Sequence, residues 1–153
     1  MNNKLFKACE NNNIESVKSL INEGVNINTK NSFKEMPLHV ACINNNFEIV
    51  RILINNKAEI NSKDICGNTP LHIACKHGND YIIGFLIKNE ANLNVKNCYG
   101  ETPLYMALIY SHPKTKIKQI EKKSDIMIKN RYGKTILMIM IKEYKLKEFE
   151  VKK

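Results

Sequence analysis

A tetrapeptide returns every 33 residues along this chain. Met36-Pro37-Leu38-His39 recurs as Thr69-Pro70-Leu71-His72, then as Thr102-Pro103-Leu104-Tyr105, and fades into Thr135-Ile136-Leu137-Met138. Leu5, in Leu5-Phe6-Lys7-Ala8-Cys9, stands one period before the first of these. A fixed period of this size limits the fold more than any single residue does. A unit this short cannot bury its own apolar face, so it must stack on a neighbour, and a continuous core follows from the stacking. The expected fold class is an all-α repeat solenoid.

One unit, residues 64–96, gives the plan. Asp64-Ile65-Cys66-Gly67-Asn68 reads as a turn, with Gly67 supplying a positive φ. Thr69 suits a helix N-cap, and Pro70 suits the first helical position, where no N–H is needed. Leu71, Ala74 and Cys75 then form a helical apolar face. Gly78-Asn79 breaks that helix. A second helix carries Ile82, Ile83, Leu86 and Ile87 on one side, and Ala91-Asn92-Leu93-Asn94 returns to a loop. The preceding unit repeats the plan with Pro37, Leu38, Ala41, Cys42, Ile49, Val50, Leu53, Ile54 and Asn61. The first begins directly at its helix with Leu5, Ala8 and Cys9.

The run Gly67-Asn68-Thr69-Pro70-Leu71-His72-Ile73-Ala74, recurring in register without insertion, resembles the ankyrin repeat family. The resemblance is good over 1–130 and partial over 131–153. It implies ankyrin-type helix–turn–helix pairs joined by β-turn fingers, in repeats of approximately 1–30, 31–63, 64–96 and 97–129, with a partial capping repeat at 130–153. It also implies that His39 and His72 tie turn to helix and to the next repeat, and that the chain works as a protein-binding module.

Three departures from the pattern carry expectations. Phe33-Lys34 stands where later repeats have Cys66-Gly67, Tyr99-Gly100 and Tyr132-Gly133, so the turn before Met36 is expected to be looser. In the fourth repeat Ser111-His112-Pro113 can start a second helix, but Lys116 and Gln119 fall on apolar positions. In the fifth, Ile136-Leu137-Met138-Ile139-Met140-Ile141 is apolar on all sides. A solenoid end should be polar outside. Fold-back of Tyr144, Leu146 and Phe149 over this run is expected, with a monomer favoured; dimerisation through the run, or a repeat fragment of a larger protein with further repeats beyond it, are the alternatives.

Charge is unevenly spread. Residues 1–110 hold 11 basic and 10 acidic groups, whereas 111–153 hold 13 and 5, so nearly all of the net +9 lies in the C-terminal third. Such an end can attract nucleic acid or an anionic surface, through Lys114, Lys116, Lys118, Lys122, Lys123 and Arg131. With few aromatics and only two arginines, nucleic-acid binding stays the lesser alternative to a solvated surface. The start of the chain has no apolar signal core, and no run of 18 apolar residues occurs, so a cytoplasmic protein is expected, delivery into another cell being the alternative. The Asn-rich composition is read as coding bias. Five cysteines without a CxxC fit a reducing compartment, with Cys9, Cys42 and Cys75 in one packing register and Cys66 and Cys98 on neighbouring turns. No converging ligand set, phosphate loop or nucleophile–base pair is present, so no metal, no cofactor and no enzymatic activity are expected.

Within the family, turn tips and the exposed side of the first helix make most contacts. Carried onto this chain, the partner-binding positions are Phe33 and Glu35; Ile65, Cys66 and Asn68; Tyr99 and Glu101; Arg131, Tyr132 and Lys134 on the turns, and Ile43, Lys76, His77, Ile109 and Tyr110 on the helices. Phe33, Cys66, Tyr99 and Tyr132 share one turn position, which predicts an apolar and aromatic ladder along one edge of a concave face. Aromatic side chains exposed in this way are typical of binding hot spots.

Overall fold

The computed structural model describes residues 2–110 and 124–141. Seven helices follow in order: α1 Asn2–Glu10, α2 Ile14–Asn22, α3 Pro37–Ile43, α4 Phe47–Asn55, α5 Pro70–His77, α6 Asp80–Lys88 and α7 Pro103–Ile109. A further helix, α8, opens at residue 136 and is described to 141. The first helices α1, α3, α5 and α7 pack side by side in one row, and α2, α4 and α6 form a second row behind them. Among the described residues there is no strand, only an isolated bridge between Lys129 and Thr135. The fold is therefore the all-α repeat solenoid that the period implies.

The core is the period made visible. Leu5, Leu38, Leu71 and Leu104 are all fully buried, one per first helix. Beside them Ala8, Ala41, Ala74 and Ala107 are buried, and their small side chains let adjacent first helices approach. Val17, Val50 and Ile83 close the same core from the second row, each fully buried. Each such side chain contributes about 1.5–3 kcal/mol by leaving water. Helix starts follow from the sequence: Thr69 and Thr102 sit in extended backbone, and Pro70 and Pro103 open the helices behind them.

Left-handed backbone also repeats with the period. Asn12, Asn45 and Gly78 end the first helices at φ 51°, 57° and 68°. Gly24, Lys57 and Glu90 follow the second helices at 78°, 71° and 66°, and Lys34, Gly67, Gly100 and Gly133 turn the fingers at 57°, 76°, 74° and 74°. The first finger corrects an expectation. Its two closing bonds, Asn31 N–H to the Glu35 carbonyl and Lys34 N–H to the Asn31 carbonyl, are both 2.9 Å, as short as those of the glycine fingers. The turn is no looser; Lys34 takes the left-handed conformation itself, at a steric cost that glycine avoids.

Histidines join consecutive repeats. The His72 Nδ1 accepts from the Thr69 N–H at 3.1 Å, and its Nε2 faces the Glu101 carbonyl of the next repeat at 3.1 Å. A backbone N–H can only donate and a carbonyl only accept, so His72 must be the neutral Nε2–H tautomer. His39 repeats the arrangement between the Met36 N–H and the Asn68 carbonyl. Burial drives both below the ordinary histidine value, His72 to about 4. Tyr105 replaces the histidine one repeat later, and its hydroxyl accepts from Asn130 Nδ2 at 2.9 Å.

Candidate binding surface

Four fingers, 31–35, 64–68, 97–101 and 130–134, are built the same way. Each begins with Asn or Asp, whose side-chain oxygen accepts backbone N–H groups across the turn. Asn31 Oδ1 accepts from Phe33 and Glu35, Asp64 Oδ1 from Asn68, Asn97 Oδ1 from Tyr99 and Glu101, and Asn130 Oδ1 from Tyr132 and Lys134, all within 2.8–3.0 Å. Neighbouring fingers are then stitched by one backbone bond each: Ile65 N–H to the Phe33 carbonyl at 2.8 Å, Cys98 to Cys66 at 2.8 Å, and Arg131 to Tyr99 at 3.0 Å. Gly100 lies so close under the fourth finger that a Cβ there would sit 2.8 Å from the Arg131 nitrogen. The fingers form a rigid, regularly spaced row.

The row separates the turn positions named from the sequence into two sets. Phe33, Ile65, Tyr99, Arg131, Tyr132 and Lys134 are exposed at the tips, with Phe33, Ile65 and Tyr132 each about three-fifths accessible. Cys66 is half-buried. Glu35, Asn68 and Glu101 are half-buried and already engaged. Glu35 Oε2 accepts from Asn31 Nδ2 at 2.8 Å, Glu101 Oε2 accepts from Asn97 Nδ2 at 3.2 Å, and Asn68 bonds both Asp64 and Asn97. Glu35 and Glu101 brace their own fingers, and Asn68 also ties the second finger to the third.

On the first helices Ile43, Lys76, His77, Ile109 and Tyr110 are all exposed. Lys76 Nζ lies 5.2 Å from the centre of the Tyr110 ring, linking the C-terminal ends of α5 and α7. The Lys76 ammonium also acts on the Cys66 thiol, which is nonetheless raised by desolvation first, then by Asp64 and the adjoining Cys98. Finger tip and helix end therefore share one surface.

Two features had little or no signal in a single sequence reading. Arg131 is clamped between two rings, 4.5 Å from the centre of Tyr99 and 4.9 Å from that of Tyr132, and donates to the Tyr132 hydroxyl at 2.6 Å. A guanidinium over aromatic faces is a cation–π contact. The second is Phe47, Tyr81 and Phe85 on α4 and α6, with Phe47 and Phe85 edge to face at 5.6 Å and Tyr81 left 77% exposed. In the repeat register Phe47 stands opposite Asp80, Glu48 opposite Tyr81 and Ile52 opposite Phe85, so the period alone does not bring the three rings together.

The weak second helix of the fourth repeat, the basic cluster Lys114–Lys123 and the fold-back of Tyr144, Leu146 and Phe149 lie outside the described residues. In α8, Ile136 is fully buried while Met138 and Ile141 are about half exposed. Among the described residues no helix is long and apolar enough to cross a membrane.

A family model for three copies of the ankyrin repeat matches residues 5–97 and 56–116. No curated protein matches the chain. The family model spans most of the chain, and the stacked helix pairs, fingers and histidine ties fit it throughout the matched region: the chain belongs to the ankyrin repeat family.

Proposed function

We propose that this chain is a non-enzymatic module that binds a protein partner through the face formed by its finger tips and first helices. Ankyrin repeats are generally protein–protein interaction modules. The observation that supports this face is its set of exposed apolar side chains: Phe33, Ile65, Tyr99 and Tyr132 on the tips, and Ile43, Ile109 and Tyr110 on the helices. Large apolar side chains held in water on a rigid frame have little ordering entropy left to lose on binding. Arg131 stacked between Tyr99 and Tyr132 adds the residue types that dominate interface hot spots.

The test is affinity capture from native lysate with the wild type and with a Phe33→Ala/Tyr99→Ala/Tyr132→Ala variant of matched thermal stability. The expected result is one protein retained by the wild type and lost with the variant. Tyr99→Ala alone should then weaken the measured affinity by about 1–3 kcal/mol. Equal capture by both proteins would remove the finger tips from the binding site.

A further inference from the structure

The five thiols fall into two environments. Cys9, Cys42 and Cys75 are fully buried in the stack, and burial pushes all three thiols up, Cys9 to about 12. Such thiols are inert to solvent oxidants. Cys98 is exposed and Cys66 is half-buried, and the two lie on adjoining fingers. The Cys98 N–H donates to the Cys66 carbonyl at 2.8 Å, and a Cβ on Gly67 would sit 3.1 Å from the Cys98 nitrogen. That bond sets the two residues side by side, and the Cys66 and Cys98 thiols lie within hydrogen-bonding reach of each other, as partners in a disulfide must.

The side chains at this pair of registers face each other. Tyr99 and Arg131 occupy the same two registers one repeat later, joined by the same backbone bond, and their side chains are in contact at 4.5 Å. Cys66 and Cys98 replace that aromatic–cation pair with two thiols. We propose that Cys66 and Cys98 are a vicinal dithiol site that a peroxide converts to a disulfide bridging the second and third fingers. The exposed Cys98 meets the oxidant: its sulfur takes an oxygen from hydrogen peroxide, giving the sulfenic acid and one water. The Cys66 sulfur then attacks that sulfur, the S–O bond breaks, and the second water leaves with the Cys66 proton. Overall two thiols lose two hydrogens and one peroxide becomes two waters. The bond fixes the two middle fingers of the exposed face.

The experiment needs no partner, so its outcome is independent of the binding reading. The full chain is treated with a small excess of hydrogen peroxide, remaining thiols are alkylated in denaturant, and intact mass and a non-reduced peptide map are recorded. The expected result is a monomer two hydrogens lighter, cross-linked between Cys66 and Cys98, with Cys9, Cys42 and Cys75 alkylated. Cys66→Ser and Cys98→Ser, with circular dichroism unchanged, should each abolish the cross-link. A disulfide-linked dimer through Cys98, sulfinic acid on Cys98 beside an alkylated Cys66, or no reaction would each overturn the proposal. The wild-type map decides the question even if a variant misfolds.

Discussion

Acid should loosen this solenoid at its histidine ties, and His72 sets the size of the effect. In the unfolded chain His72 has the ordinary value of 6.5; folded, burial holds it near 4. Between these values the unfolded chain binds more protons than the folded one, so stability is complete above pH 6.5 and falls as the pH drops toward 4. Each unit in that window costs about 1.4 kcal/mol. For His72 alone the loss reaches about 2 kcal/mol at pH 5 and about 3 kcal/mol at pH 4. His39 is displaced the same way and adds to it. At about 2–4 °C per kcal/mol, His72 alone lowers Tm by about 4–8 °C at pH 5. The assay is urea unfolding by circular dichroism from pH 7.5 to 5, comparing wild type with His72→Gln. The variant starts lower, because the Thr69 N–H loses its partner, but it should lose about 2 kcal/mol less than the wild type over that range. Parallel losses, or a His72 NMR titration near 6.5, would refute the reasoning.

Four further substitutions probe the stack. Gly100→Ala forces a Cβ against the Arg131 backbone, whereas the same change at Gly133 meets nothing within 4 Å. Both strain a positive φ, so Gly133→Ala should cost about 1–2 kcal/mol and Gly100→Ala clearly more, by equilibrium unfolding. Lys34→Gly should leave the first finger unchanged and raise stability by up to about 1 kcal/mol, since Lys34 already sits at φ 57°. Leu71→Ala opens a cavity at a fully buried site and should cost about 2–5 kcal/mol in the same measurement.

Leu71, Pro70 and Thr69 could be read directly, because the physics that places them is local: a cap, a proline at the first helical position, an apolar face. The asparagines could not. Their abundance looks like coding bias, yet Asn28, Asn61 and Asn94 each accept a backbone N–H from the next repeat, at Glu59, Asn92 and Asp125, within 2.8–3.0 Å. Asn46 Nδ2 donates back to the Cys9 carbonyl at 2.7 Å. Each partner is a main-chain group some 31 to 37 positions away, so residue type at those positions gives no hint of it. The same bracketing, by Asn31, explains why a finger lacking glycine still closes. The sequence places Arg131 both on a turn tip and in the basic excess, but only the stacking of two fingers brings its guanidinium between Tyr99 and Tyr132.

The inter-finger bonds have a consequence for how such a chain can change length. Each uses a donor and an acceptor fixed by register, not by residue identity. Excising 64–96 would join Lys63 to Asn97 and bring the Cys98 N–H to the Phe33 carbonyl, as Ile65 is now, and the Glu101 carbonyl to His39, where Asn68 now stands. A cut that is not a whole number of repeats would break this register and leave donors and acceptors facing nothing. Whole repeats are thus the natural currency of duplication and loss in this gene, and the reach of the binding face can lengthen or shorten by recombination without the core having to be reinvented.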